Sequence, residues 1–154
     1  FAPLYKAEEE EFQRPSGVFV TLKKQGELRG CIGEVLPRRP LLVATQRAAL
    51  AAAFSDPRFP PLSREELGEV KLEISVLSIP KPLGDPNQVE VGRHGLIIVK
   101  GEKVGLLLPQ VPVEEGWSRE EFLKGVCRKA GLPEDAWKDK EVQLYTFTAE
   151  VFGE

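Results

Sequence analysis

Methionine is absent from this 154-residue chain, histidine occurs once, at His94, and cysteine only at Cys31 and Cys127. One imidazole and two distant thiols fall short of the nitrogen and sulfur ligand set of a zinc site, which rejects zinc and leaves only carboxylates, and so magnesium, open. Two thiols far apart in a chain with no secretory signal are expected to be reduced rather than paired. No apolar run approaches the roughly 20 residues that span a bilayer, so no membrane anchor is expected. The sequence shows no arginine-rich presequence and no apolar signal core, and the cytoplasm is the expected compartment. A net charge of −3 withholds the basic excess on which a general nucleic-acid binder relies, so that class is disfavoured. A single asparagine and no methionine, beside 13 prolines and many arginines and glutamates, resemble a thermophile's residue economy.

What is present is an ordinary globular composition, 42% hydrophobic and 29% charged, at a length that supports one well-buried core with a subsidiary lobe. Residues 1–16 read as a lead-in, with the acidic run Glu8 to Glu11 as a solvated face or short helix before Pro15 and Gly17. "VFVTLK" and "ELRGCI" then form a predicted β-hairpin with Gly26 in its loop. "LLVATQRAALAAAF" is a predicted helix, expected to be largely buried because only Thr45, Gln46 and Arg47 interrupt its apolar character. Three prolines in "SDPRFPPL" forbid regular structure, and Ser63 with Glu66 fits a capping box over one short turn that stops at Gly68.

"VKLEISVLSI" alternates as a half-buried strand, and "PKPLGDPNQ" reads as a loop. "GLIIVKGEKVGLLLPQ" forms a second hairpin, apolar enough to be covered on both faces. A second capping box, Ser118 and Glu121, opens a helix whose stripe of Phe122, Leu123, Val126, Cys127 and Ala130 makes Cys127 a core residue, with Gly131 as the stop. "EVQLYTFTAEVF" is one long alternating segment that should pair into the sheet. Hairpins separated by helices, without strict β-α alternation, predict an α+β fold with a mostly antiparallel sheet and flanking helices.

The segment "GELRGCIG" raises a chemical question. Strand period two sets Arg29, Cys31 and Gly33 on one face and Leu28, Gly30 and Ile32 on the other, core-facing side. Glycines cost a strand both entropy and packing, so Gly30 and Gly33 imply a close approach to this backbone. A guanidinium about 7 Å from the thiol would favour the thiolate by roughly 0.6 to 2.4 kcal/mol. Gly30 and Gly33 would offer backbone N–H donors to an oxyanion, and His94 is the one imidazole available as a base. Equally, Cys31 is a small residue in a crowded strand, with the glycines making room for a bulge or an aromatic such as Phe54. His94 is read as a turn residue donating to a nearby carbonyl. Asp56 and Arg58 are either a local ion pair fixing the proline-rich loop or a carboxylate and guanidinium for a ligand.

At "LRGCIG" the sequence resembles the AMMECR domain family (AmmeMemoRadiSam system protein A-like), for which that hexapeptide is the hallmark. "GVFVTL", "DPRFPPL", "LEISVLS", "GLLLPQV", "EEFLKGVCRKAGLP" and the terminal "YTFTAEVFGE" look like family blocks in family order, from about Gly17 to the last residue. This chain carries "EKVGLLLPQ" where "RSGLLLPQ" is common in relatives. The resemblance implies an α+β domain in two unequal lobes with a cleft near the hexapeptide. It implies no established reaction, no catalytic set and no named cofactor. Family members are often encoded beside a Memo-like protein of the extradiol-dioxygenase type and a radical-SAM enzyme, which implies both as partners. The expected function is an accessory protein binding a small ligand or partner segment around Arg29, Gly30, Cys31 and Gly33, with Asp56 and Arg58 as further candidates. The alternatives are a thiol-dependent enzyme using Cys31, with Arg29 and His94 in support, and a nucleic-acid module.

Overall fold

Val18, Val20 and Leu22 alternate with Phe19, Thr21 and Lys23 along strand β1 (Gly17–Lys24), which turns back into β2 (Glu27–Glu34) through Gln25 and Gly26, both at positive φ. Two successive left-handed residues give the tight turn whose twist matches its flanking strands, and Gly26 adopts φ 80° without strain. The computed structural model describes residues 10–153, with side chains from Phe12 onward. A short helix α1 (Glu10–Gln13) comes first, and the solvated face expected over Glu8 to Glu11 lies outside the described side chains.

β1 pairs on its other side with β3 (Val70–Leu77), and the sheet is completed in the order β2-β1-β3-β8 by the C-terminal strand β8 (Ala149–Gly153). Helix α2 (Leu41–Phe54) lies across one face, with Ala44, Ala48 and Ala52 packed on Val18, Val20 and Leu22. Alanine at those positions lets the helix axis approach the sheet closely.

The second sheet has the order β4-β7-β5-β6, from β4 (Lys81–Pro82), β5 (Gly95–Lys100), β6 (Lys103–Leu107) and β7 (Gln143–Phe147). Its core joins Leu96 and Ile98 to Phe122, Val126 and Cys127 of helix α4 (Arg119–Lys129). Ser118 and Glu121 close the predicted capping box, and Gly131 stops the chain's helical course at φ 74°. The pairings β1/β2, β1/β3, β4/β7, β5/β6 and β5/β7 are all antiparallel, so the α+β class holds, with two sheets in place of one. Contacts divide the chain into two compact units, one reaching Ile79 and regaining the chain from Glu150, the other Pro80–Ala149. Among the described residues no helix is long and apolar enough to cross a membrane.

Several elements depart from expectation for identifiable reasons. The terminal segment is two strands, interrupted at Thr148, one in each sheet. Lys81 and Pro82, expected in a loop, pair with Thr146 and Tyr145. The run after Leu107 leaves the sheet for helix α3 (Gln110–Glu115), whose Pro112 sits in its first turn, where its missing N–H costs nothing. Ser75, on the polar side of β3, is fully buried. Val104 on β6 is exposed, so that strand is not covered on both faces. Helix α2 is not largely buried, because the sheet takes only its alanine stripe and leaves Leu50 62% and Phe54 52% exposed.

The glycine reading of β2 resolves here. A Cβ on Gly30 would collide with the Ala52 carbonyl oxygen of α2, and one on Gly33 would fall 2.6 Å from Phe19 Cα. Both glycines admit neighbouring backbone. Gly30→Ala should therefore destabilise the fold by about 1 to 3 kcal/mol. Gly68→Ala, with nothing within 4 Å of the new methyl, should be near neutral, as urea denaturation of the two variants will show.

Candidate functional site

The pairing register of β1 and β2 slips between Leu22 and Lys23, which face Gly30 and Leu28, so Arg29 is the extra residue of a β-bulge. The bulge breaks the simple alternation. Leu28 opposes Lys23 on the face away from α2 and is 43% exposed, correcting its expected place in the core. Gly30 and Ile32 keep the α2 side, and Cys31 lies opposite Thr21 on the other.

Arg29 is buried and committed. Its Nε donates to Glu66 Oε2 at 2.9 Å, and its Nη2 donates to Glu66 Oε1 at 3.1 Å and to the Pro60 carbonyl at 2.9 Å. Glu66 Oε1 also accepts from the Ser63 N–H at 3.1 Å, so the capping box read in the sequence doubles as the anchor of Arg29. Lys24 adds a second cation to the same carboxylate at 3.2 Å. The Arg29 guanidinium, then Ser63 and Lys24, hold the Glu66 carboxyl well below the usual range. A charge neutralised in this way has little left for a thiolate on Cys31.

The nearer cation to Cys31 belongs to the proline-rich loop. Asp56 is buried, and its carboxylate accepts from Arg58 Nη2 at 2.8 Å, Arg58 Nε at 3.0 Å, the Arg58 N–H at 3.1 Å and the Cys31 N–H at 3.0 Å. Arg58 Nη2 in turn donates to the Cys31 carbonyl at 3.3 Å. One side-chain pair thus caps both backbone groups of Cys31 at the free edge of β2, where a further strand would otherwise pair. Phe59 lies beneath both guanidinium groups, with Arg29 Cζ 5.9 Å and Arg58 Cζ 5.5 Å from its ring centroid. The Cys31 thiol is half-buried, its hydrogen-bond partner being Thr21 Oγ1 at 3.3 Å.

Arg29, Cys31, Asp56 and Arg58 are therefore brought together, with Gly30 and Gly33 on the same strand. His94 is not among them. It lies in the other unit, where its Nδ1 accepts the Glu90 N–H at 3.0 Å, whereas the sequence had it donating to a carbonyl. Cys127 is a core thiol whose ionisation burial disfavours. Among the described residues no group of three or more histidine, cysteine, aspartate or glutamate side chains is placed to hold a metal ion.

Beside this strand runs a groove of about 600 Å³ between α2 and β2, lined by Ile32, Gly33, Ala48, Ala51, Leu50 and Phe54, with Arg39 and Arg47 at its margins. Phe54, offered as one aromatic for which the glycines could make room, stands at this rim, and the ring against Gly33 is that of Phe19. Three contributors escaped the sequence reading: Thr21, Phe59 and the Arg29 partnership of Glu66. Only Glu66 carried a signal, through its capping box.

A model of the AMMECR1 family matches residues 2–152, which takes in the lead-in as well as the blocks from Gly17 onward. A protein of Aquifex aeolicus is 54% identical over 156 residues, covering 97% of this chain and 80% of that protein. A protein of Thermococcus kodakarensis is 53% identical over 154 residues, covering 94% of this chain and 75% of its own. The crystal structure of an uncharacterised protein from Pyrococcus horikoshii superposes with a TM-score of 0.94 at 47% identity, over 99% of this chain and 80% of that one.

The clamp makes stability depend on two carboxylates. Asp56, held low by Arg58 and then by the two backbone N–H groups, and Glu66, held low by Arg29, are both ionised in the fold at pH values where an unfolded chain would protonate them. Their contribution is present above the unfolded carboxylate pKa of about 4 and is lost as pH falls below it. Denaturation midpoints should be flat from pH 7 to about 5 and decline below about 4. Asp56→Asn should reduce that decline and, by leaving Arg58 and the Cys31 N–H poorly matched, cost about 2 to 3 kcal/mol at pH 7. Cys31→Ser, which can keep the bond to Thr21, should cost under about 1 kcal/mol.

Proposed function

The chain belongs to the AMMECR1 family, and from that premise we propose that it is an accessory binding protein, taking a partner or small ligand along β2 and the adjoining groove. The observation that carries this reading is the groove itself, an apolar channel flanked by exposed Leu50 and Phe54 on a rigid helix and strand. Exposed apolar surface gathered beside a concavity is the usual mark of a recognition site. The polar cluster next to it acts as a frame: Asp56 with Arg58 and Arg29 with Glu66 form ion pairs that fix the strand. The resemblance to proteins encoded with a Memo-like protein and a radical-SAM enzyme makes those two classes the partners of first choice.

A thiol-dependent reaction at Cys31 has less support. Its thiol bonds to a hydroxyl, Arg29 is engaged by Glu66, and the Nδ1 of His94 is engaged by Glu90 in the other unit. A nucleic-acid role for this cluster would need free cations in it, and Arg29, Arg58 and Lys24 are each paired with a carboxylate.

Affinity purification of the tagged protein from its native host, with mass spectrometry of bound proteins and metabolites, tests the proposal. A stoichiometric companion retained by Cys31→Ser is the expected result. Recovery of the protein alone, with loss of cellular function in Cys31→Ser, would favour the enzyme.

A further inference from the structure

Helix α2 carries two apolar stripes where the fold uses one. Ala44, Ala48 and Ala52 face the sheet, while Val43, Arg47, Leu50 and Phe54 recur at spacings of four, three and four along another side and are all exposed. These four residues project along three turns, about 17 Å of helix. A helix apolar on nearly every side is one that is covered on nearly every side. The sheet covers the first stripe, and among the described residues the second has no cover. The groove beside β2 lies along this second stripe, so a body laid on it could send side chains down onto Ile32, Ala48 and Ala51.

Charge narrows the occupant. Arg47 sits in the middle of the stripe with no ion-pair partner among the described residues, while Arg39 at the groove's end is already paired with Glu34. An arginine ringed by Leu50, Val43 and the groove asks for a carboxylate brought in by whatever docks. A second copy of this chain paired symmetrically, α2 on α2, would not bring one, because Arg47 then lies near its own symmetry mate and the stripe holds no acid. The 4-3-4 spacing is that of a helix seam, which a second helix meets by knobs-into-holes packing.

We infer that the second stripe of α2 is a docking surface for an amphipathic helix of a partner protein, one whose apolar seam fills the groove between α2 and β2 and whose acidic residue pairs with Arg47. The inference rests on the binding reading above and specifies its occupant.

Two synthetic helix-forming peptides test it, sharing one leucine seam and differing only in glutamate or lysine at the flanking positions. Binding is followed by fluorescence anisotropy and by amide shifts of the isotope-labelled protein. The acidic peptide should bind about tenfold more tightly than the basic one, with shifts centred on Val43 to Phe54. Arg47→Glu should invert that preference, and Leu50→Glu should abolish binding while the melting temperature stays unchanged, since Leu50 is exposed. Equal or absent binding of the two peptides, shifts centred elsewhere, or a dimer in sedimentation that Leu50→Glu dissolves would overturn the helix. A companion captured from the native host yet retained by Leu50→Glu would also overturn it while leaving the binding reading intact.

Discussion

One buried carboxylate holds the hexapeptide strand to the loop that follows α2. Asp56 accepts the Cys31 N–H and three donors of Arg58, while Arg58 returns a bond to the Cys31 carbonyl. Edge strands expose backbone donors and acceptors that water or another chain must satisfy. Here two side chains separated by one proline satisfy those of Cys31, and the prolines at 57, 60 and 61 reduce the entropy lost in holding the loop there. Arg29 is drawn into the same construction: the bulge frees it from the ladder, and Pro60 of that loop and Glu66 just beyond it receive its guanidinium. The groove starts where the loop leaves α2, at Phe54 and Ser55, so the clamp also fixes one end of the candidate binding surface.

This dependence changes the meaning of the cysteine between two glycines. The glycines are explained by backbone approach, Gly30 to the Ala52 carbonyl and Gly33 to β1. The cysteine contributes its main chain to the clamp, which any residue except proline could do, and its small thiol to Thr21. Arg29 contributes a fork geometry that lysine lacks, two nitrogens on one carboxylate and a third bond to a carbonyl. A short motif can thus owe its composition to how tightly a strand is fastened.

Much of the fold was legible because local patterns decided it. The β1/β2 hairpin, α2 from Leu41 to Phe54, β3, and the α4 capping box all follow from periodicity and caps that need no distant partner. What was not legible depended on tertiary context. A bulge leaves no mark on alternation until the partner strand is known, so Leu28 was placed on the wrong face. The division of the terminal segment at Thr148 reflects two sheets competing for one alternating run, and both strands individually fit the pattern. The Arg29 and Glu66 pair spans 37 positions in sequence, beyond the reach of spacing arguments, although each residue was singled out separately.

The departure of α2 from expectation is the most instructive of these. Its sequence reads as a helix for an interior, and the sheet accepts only the alanine stripe because small side chains are what close packing on Val18, Val20 and Leu22 requires. The larger residues, Val43, Leu50 and Phe54, were therefore never candidates for that face. Leaving them in water forgoes the stabilisation that their burial would bring, roughly 1.5 to 3 kcal/mol for each side chain fully covered. A chain whose remaining core is well packed, with Val20, Leu96, Ile98, Phe122 and Val126 wholly buried, shows no general shortage of order that would account for it. On the docking surface inferred above, the apolar stripe is kept for association; the sequence reading that took the helix as largely buried counted its apolar residues without the sheet's demand for alanine at the contact.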